Sequence, residues 1–228
     1  HAHALAQLTR SEWDRYWSSR KSGRAPGLTG VTVDMVKSLT TAQQNDVLAI
    51  FNAARAARHV FPQWKQRAIV AIPKEPGNPD VEKSRPIALL DTMMKAYWGI
   101  IFSRVTPVWE RRRFFDAGQY GSRAGSDVQT PLAIAVSLSE LAYADQVPLL
   151  AVSQDISKAY DSIPIRMGKK LSLRRFGLPD DFIDYYLQMD AGNEAHVITA
   201  YGASSAILGR DQGTFSFVRG TPQGASES

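Results

Sequence analysis

The sequence predicts an α+β fold. Helical and strand-like stretches follow one another in mixed order, without the regular strand–helix alternation of a parallel α/β sheet. No internal repeat or low-complexity tract points to a solenoid or a fibre. Of 228 residues, 44% are hydrophobic and 21% charged, a balance that supports a real core.

Each element has its own signal. Residues 9–20 read as a short helix capped by Thr9 or Ser11, with Trp13, Tyr16 and Trp17 on one face. Lys21 to Gly30 is dense in Gly, Pro, Lys and Arg, and reads as an ordered loop or a hinge. Residues 32–38 and 41–58 look helical, and Pro62 interrupts. Lys65 to Ile72 is a strand candidate, the turn-rich Pro73 to Asp80 follows, and Arg85 to Leu90 resumes extended structure. These two strands flank a hairpin-like excursion carrying Lys74 and Arg85. Asp91 can cap a helix to about Arg104, and Ser126 or Asp127 another to about Ala144. Leu149 to Gln154 is a buried strand candidate. A helix is expected over 164–176, stopped by Gly177, with Asp180 capping the next. Residues 195–203 and 213–219 read as two strands of a ribbon.

The bulk properties narrow the function. A net charge of +5 favours polyanionic partners such as nucleic acid, though many plain enzymes are as basic. With no cysteine, disulfides and thiolate metal sites are excluded, which fits an intracellular setting. No apolar run approaches the length of a membrane-crossing helix, so no membrane partner is expected.

Four stretches carry chemistry. In Gln154-Asp155-Ile156-Ser157-Lys158-Ala159-Tyr160-Asp161 an apolar strand candidate ends in an acid. A carboxylate so placed suits a divalent ion such as Mg²⁺. Taken alone, Asp155 or Asp161 capping the next helix is the commoner arrangement. Arg219-Gly220-Thr221-Pro222-Gln223-Gly224 combines a backbone free to approach a ligand with an amide that both donates and accepts. An ordinary turn would use the same residues. In Gln119-Tyr120-Gly121-Ser122-Arg123-Ala124-Gly125 an arginine stands before a helix, where phosphate is favoured. The plain reading there is a surface loop. Lys74 and Arg85 form the fourth, with a solvated charged face as the plain reading. The run Arg111-Arg112-Arg113 reads as a solvated helix end.

Together and in this order, these stretches resemble the reverse transcriptase family, most closely the non-LTR retrotransposon and group II intron types. Lys21 to Gly30 is similar to the Lys-Ala-Pro-Gly-x-Asp-Gly segment that opens such domains, with Thr29 where Asp is common. Arg85-Pro86-Ile87 resembles the first fingers motif, and Gln119 to Gly125 the second. Asp155 to Asp161 resembles the first palm motif, Asp-x-x-x-Ala-Phe/Tyr-Asp. Arg219 to Gly224 resembles the second, Arg-Gly-x-Pro-Gln-Gly.

The resemblance implies a right-hand polymerase architecture. It assigns 1–22 to an N-terminal helical extension, 23–125 to fingers, and 126–228 to a partial palm with antiparallel strands and packing helices, with no thumb. It implies an RNA-directed DNA polymerase acting with an RNA template, a DNA primer and a dNTP. Asp155 and the backbone carbonyl of Ile156 would bind Mg²⁺, with Mn²⁺ as the alternative ion. Lys74, Arg85 and Arg123 would grip the triphosphate. Tyr160 would exclude a 2′-hydroxyl, and Gln223 and Gly224 would lie against the incoming nucleotide. The family also needs a Tyr/Phe-x-Asp-Asp hairpin beyond the second palm motif. No such motif occurs before Ser228, so this stretch by itself is expected to be inactive. A catalytically lost scaffold or RNA-binding module is the competing reading, and Asp155, Tyr160, Arg123 and Gln223 argue against it.

Overall fold

The computed structural model describes residues 4, 6–78, 80, 83–123, 125–156, 164–199 and 202–203. Helix α1 (Arg10–Ser18) begins at a capping box: Thr9 Oγ1 accepts from the Glu12 amide, and the Glu12 carboxylate accepts from the Thr9 amide. Helices α2 (Val33–Ser38) and α3 (Thr41–Ala56) follow, the latter with the same device built from Thr40 and Gln43. A 3₁₀ turn at Pro62–Lys65 leads into strand β1 (Gln66–Pro73), which turns back as β2 (Ser84–Leu90). Then come α4 (Thr92–Arg111), α5 (Gln129–Ala144), α6 (Lys170–Arg175), α7 (Asp180–Leu187), β3 (Glu194–Thr199) and the short β4 (Gly202–Ala203).

The strands form one sheet in the order β2-β1-β3-β4. β1 pairs antiparallel with β2, from Arg67↔Leu90 to Pro73↔Ser84. On its other edge β1 pairs parallel with β3, from Gln66↔Glu194 to Val70↔Ile198. The sheet is therefore mixed: β3 and β4 pair antiparallel, Ile198↔Ala203 and Thr199↔Gly202, while β1 and β3 run parallel. Joining strands so far apart in sequence requires an intervening crossover, so the parallel pair has no local signature.

The chain forms two compact units, His1–Pro107 with Tyr160–Ser228, and Val108–Ala159. The core of the first is aromatic. Phe51 of α3 meets Tyr97 of α4 edge-on at 5.3 Å, and Trp98 meets Tyr186 of α7 at 4.8 Å. Such pairs add about 0.5–1.5 kcal/mol each beyond the area they bury. The Tyr97 and Tyr185 hydroxyls lie 2.8 Å apart, and Tyr185 donates to the His59 carbonyl at 3.1 Å, so these buried polar groups are satisfied. Burial, then the Tyr185 partner, pushes the Tyr97 hydroxyl well above its ordinary range.

Two buried ion clusters tie distant segments together. Arg104 of α4 grips Glu12 at 2.6 Å and also donates to the carbonyls of Ala6 and Gln7. Asp190, just after α7, accepts from Arg67 of β1 at 3.2 Å and from Lys169 at 3.1 Å.

Several expectations need correction. Leu149 to Gln154 is not a strand: it is irregular and exposed, with Leu150 86% and Val152 82% accessible. An apolar β-prone run becomes a strand only where another strand pairs with it, and no described strand does so. The segment expected to be helical from 164 opens as a single π-helical turn, Ile165–Lys169, before α6 begins. Pro179, not Asp180, occupies the cap position of α7; Asp180 is the first helical residue and pairs with Arg174. Helix α4 runs past Arg104 and through Pro107 to Arg111. Gly177 does end α6, with φ +76 and its amide donating to Arg174 O. The expected strand at 213–219 lies outside the described residues.

Candidate nucleotide-binding site

The β1–β2 hairpin holds two of the expected cations. Its strands emerge from the core, since burial falls along β1 from Arg67 and Ala68 to an exposed Ile72. The ladder closes at the tip, where the Lys74 amide donates to Lys83 O at 2.9 Å and Arg85 stands opposite Ile72. The turn is shaped by Gly77 at φ +78 and by the Asn78 amide donating to Glu75 O. Lys74 and Arg85 are both exposed, and neither side chain has an ion-pair partner among the described residues.

The loop from Lys21 to Gly30 is fastened where β2 meets α4. Gly27 packs so closely that a Cβ there would lie 2.8 Å from the Asp91 nitrogen and the Leu90 carbonyl carbon. Thr29 donates to Asp91 Oδ2 at 2.5 Å, and Asp91 Oδ1 caps α4 by accepting from the Met94 amide at 2.8 Å. The ordered loop read from the sequence is present. At this junction Thr29 meets Asp91 with a hydroxyl.

Arg123, in the second unit, is fully engaged. Its Nη2 donates to Glu110 Oε2 at 2.8 Å and its Nε to Glu110 Oε1 at 3.3 Å. Nη1 donates to the carbonyls of Asp116 and Gln119, and the guanidinium lies 5.5 Å from the Phe115 ring centroid. The hydrogen bond to Glu110 raises its affinity for its proton further. The arginine thus staples the 116–123 loop. Sequence inspection missed Glu110, whose only signal is an acid directly before the Arg111–Arg113 run. The helix start that was to favour phosphate is occupied as well: Asp127 Oδ1 accepts from the Thr130 amide at 2.8 Å. That bond lowers the Asp127 carboxyl below its usual range. Arg111 to Arg113 are exposed at the end of α4, as read.

Asp155 and Ile156 lie in the second unit, exposed, on irregular chain. Tyr160, Gln223 and Gly224 lie outside the described residues. Lys74 and Arg85 share one hairpin in the first unit, whereas Arg123 and Asp155 belong to the second.

Comparison with known proteins settles the family. Residues 72–228, well over half of the chain, match the family described as "Reverse transcriptase (RNA-dependent DNA polymerase)". The chain belongs to the reverse transcriptase family. It is similar to the probable RNA-directed DNA polymerase from transposon BS of Drosophila melanogaster, with 28% identity over 142 residues, 61% of this chain and 16% of that protein. It is also similar to the probable RNA-directed DNA polymerase from transposon X-element of the same organism, with 24% identity over 172 residues, 72% of this chain and 19% of that protein. The chain spans less than a fifth of the length of either relative.

In this reverse transcriptase domain the donor chemistry at Asp155 fits a magnesium ion only in part. A carboxylate and the adjacent Ile156 carbonyl are hard oxygens of the right kind. Among the described residues, however, no group of three or more acidic or histidine side chains could hold a metal. No helix of the described residues is long and apolar enough to cross a membrane.

Proposed function

We propose that this chain is the nucleotide-binding front of an RNA-directed DNA polymerase. The observation that carries this is the run of motifs, Arg85 through Gly224, in family order within the matched residues 72–228. On this reading residues 23–125 are fingers and 126–228 the start of a palm, preceded by a helical extension over 1–22. The partners are an RNA template, a DNA primer and a dNTP, which implies an intracellular setting.

The reaction joins the primer 3′-oxygen to the α-phosphorus of the dNTP and releases pyrophosphate. Asp155 and the Ile156 carbonyl would hold Mg²⁺ or Mn²⁺, which supplies charge neutralisation at the phosphates and eases ionisation of the 3′-hydroxyl. Lys74 and Arg85, exposed on their hairpin, meet the triphosphate as charge builds on its oxygens. Arg123 contributes there by exchanging its Glu110 contact for phosphate, or else by keeping the loop in shape. By resemblance to the first palm motif, Tyr160 is the residue that would exclude a 2′-hydroxyl on the incoming sugar. By resemblance to the second palm motif, Gln223 and Gly224 would lie against the incoming nucleotide.

Tyr160→Val in an active polymerase containing this chain tests the reading. The variant is expected to accept ribonucleotides at least about tenfold better relative to deoxynucleotides, a modest steric discrimination. Unchanged sugar selectivity would contradict the assignment.

A further inference from the structure

Around the end of α1 the first unit gathers five cations. Arg20 follows α1, Lys21 and Arg24 lie on the loop to Gly30, Lys37 is on α2 and Lys95 is on α4. The Arg20 guanidinium lies 4.5 Å from the Tyr16 ring centroid, and its Nε and Nη2 donate to Ser19 Oγ at 3.3 and 3.2 Å. Tyr16 in turn packs on α4 at Gly99, where a Cβ would lie 2.6 Å from the ring. Lys95 stands one helical turn before Gly99, on the same face of α4, so this stack brings Arg20 beside it. Lys37 Nζ donates to the Arg20 carbonyl at 2.6 Å.

The nearby acids are committed to other partners. Asp14 pairs with Arg10 at 2.9 Å, the Asp34 carboxylate accepts from the Gly23 amide at 3.0 Å, and Asp91 accepts from Thr29 and from the Met94 amide. Asp34 still attracts Lys37, and Asp91 attracts Lys95. Burial nevertheless holds the Lys95 ammonium below its ordinary range, and Arg20 adds to the shift. Arg20, Lys21 and Arg24 are exposed and form no ion pair among the described residues. Like charges gathered in this way repel one another and raise the local potential for an anion. The loop that carries two of them is fastened at Gly27 and Thr29, and just beyond it Thr92 Oγ1 donates to Val31 O at 2.6 Å. The cations are therefore presented from an ordered platform.

We propose that Arg20, Lys21, Arg24, Lys37 and Lys95 bind the sugar–phosphate backbone of a nucleic-acid strand. An isolated anion would meet one or two of these groups. A strand carries a phosphate at every nucleotide and can meet cations borne on several elements. Such contacts carry no base information, so binding is indifferent to sequence. The family match begins at residue 72, so all of these residues but Lys95 lie outside it. None of them is among the cations assigned above to the triphosphate. The site needs neither a metal ion nor catalysis, so it stands or falls apart from the reading of Asp155.

Fluorescence anisotropy of a labelled, unstructured RNA strand, titrated with the full 228-residue chain over a range of salt, tests the site. Lys21→Gln combined with Arg24→Gln removes two exposed cations whose side chains make no hydrogen bond among the described residues. The double variant should weaken binding at least about tenfold at physiological salt and flatten the log–log salt slope by about 1.4, at about 0.7 per phosphate contact. Arg111→Gln with Arg112→Gln removes the same charge from the end of α4 and should change the affinity by less than about twofold. Equal losses from the two pairs would mean a diffuse charge effect and would overturn the site. So would an unchanged slope in the loop variant, or no binding by the unaltered chain. Should circular dichroism show the loop variant to be misfolded, Arg24→Gln alone replaces it, with half the change in slope expected and an unchanged slope again fatal. Inorganic tripolyphosphate should displace the labelled strand far less well than an unlabelled RNA of different sequence. Equal displacement by the two would mean a pocket for an isolated anion and would likewise refute the proposal. Polymerase assays of Asp155 variants bear on the catalytic reading alone, so the two ideas fail separately.

Discussion

Replacing Asp190 with alanine should damage the first unit far more than removing a shorter ion pair on its surface. The Asp190 carboxylate is 6% exposed, and its partners Arg67 and Lys169 are 10% and 9% exposed. Removing the acid takes away the buried carboxylate that both cations share and that offsets part of their desolvation. Breaking a buried pair in this way costs about 3–5 kcal/mol. The Lys170–Asp184 pair is closer, at 2.7 Å, but its side chains are 32% and 60% exposed. Solvent already solvates both groups there, so Asp184→Ala should cost under about 1 kcal/mol. Burial, not distance, decides the ranking. Urea unfolding followed by tryptophan fluorescence is the assay, since Trp13, Trp17, Trp64 and Trp98 all lie in the first unit. With a urea dependence of about 2 kcal/mol per molar, Asp190→Ala should lower the midpoint by about 1.5–2.5 M. A shift below about 0.5 M, or one equal to that of Asp184→Ala, would mean that burial does not set the strength of these pairs.

Acid should act on the Glu12–Arg104 clamp. Burial opposes ionisation of Glu12, but hydrogen bonds from Arg104 and Thr9 outweigh it and hold the carboxyl at about 2, against an ordinary 4.5. Its stabilisation is fully present above about pH 4.5 and is lost as pH falls through about 2. Linkage sets an upper value near 3 kcal/mol, and solvent screening reduces it to about 1–2 kcal/mol. Glu12→Gln should flatten the acid limb of the stability profile in that window. Gly27→Ala should cost about 1–3 kcal/mol, because the new methyl meets rigid backbone at Leu90 and Asp91; thermal unfolding checks it. Arg85→Ala should leave the unfolding midpoint unchanged yet raise the KM for dNTP in an active polymerase. Arg123→Ala should instead speed amide exchange over 116–123, since Glu110 and two carbonyls lose their partner.

Much of the local structure was legible because its causes are local. Thr9 and Glu12 announce α1 within three residues, and the Pro73–Asp80 turn between two apolar runs announces the hairpin. The family was legible for a similar reason, as its motifs are contiguous. What failed depends on partners distant in sequence. Val70 pairs with Ile198 across the parallel edge, and nothing near either residue marks the other. Leu149 to Gln154 has the composition of a strand, but a strand exists only in company. The Asp190 cluster joins Arg67 to a residue 123 positions away. Arg123 was read as a free phosphate ligand because its motif conceals Glu110. Its role in nucleotide binding therefore turns on whether phosphate displaces that carboxylate.

The most direct test of the central claim is templated dNTP incorporation by an active polymerase containing this chain, with and without Asp155→Ala. Incorporation should fall at least about a hundredfold, as when a principal electrostatic contact to the transition state is removed. Primer–template affinity should be retained, because Asp155 is not among the basic groups expected to hold the phosphate backbone. Incorporation by the Asp155→Ala enzyme at the rate of the unaltered one would mean that Asp155 holds no catalytic metal.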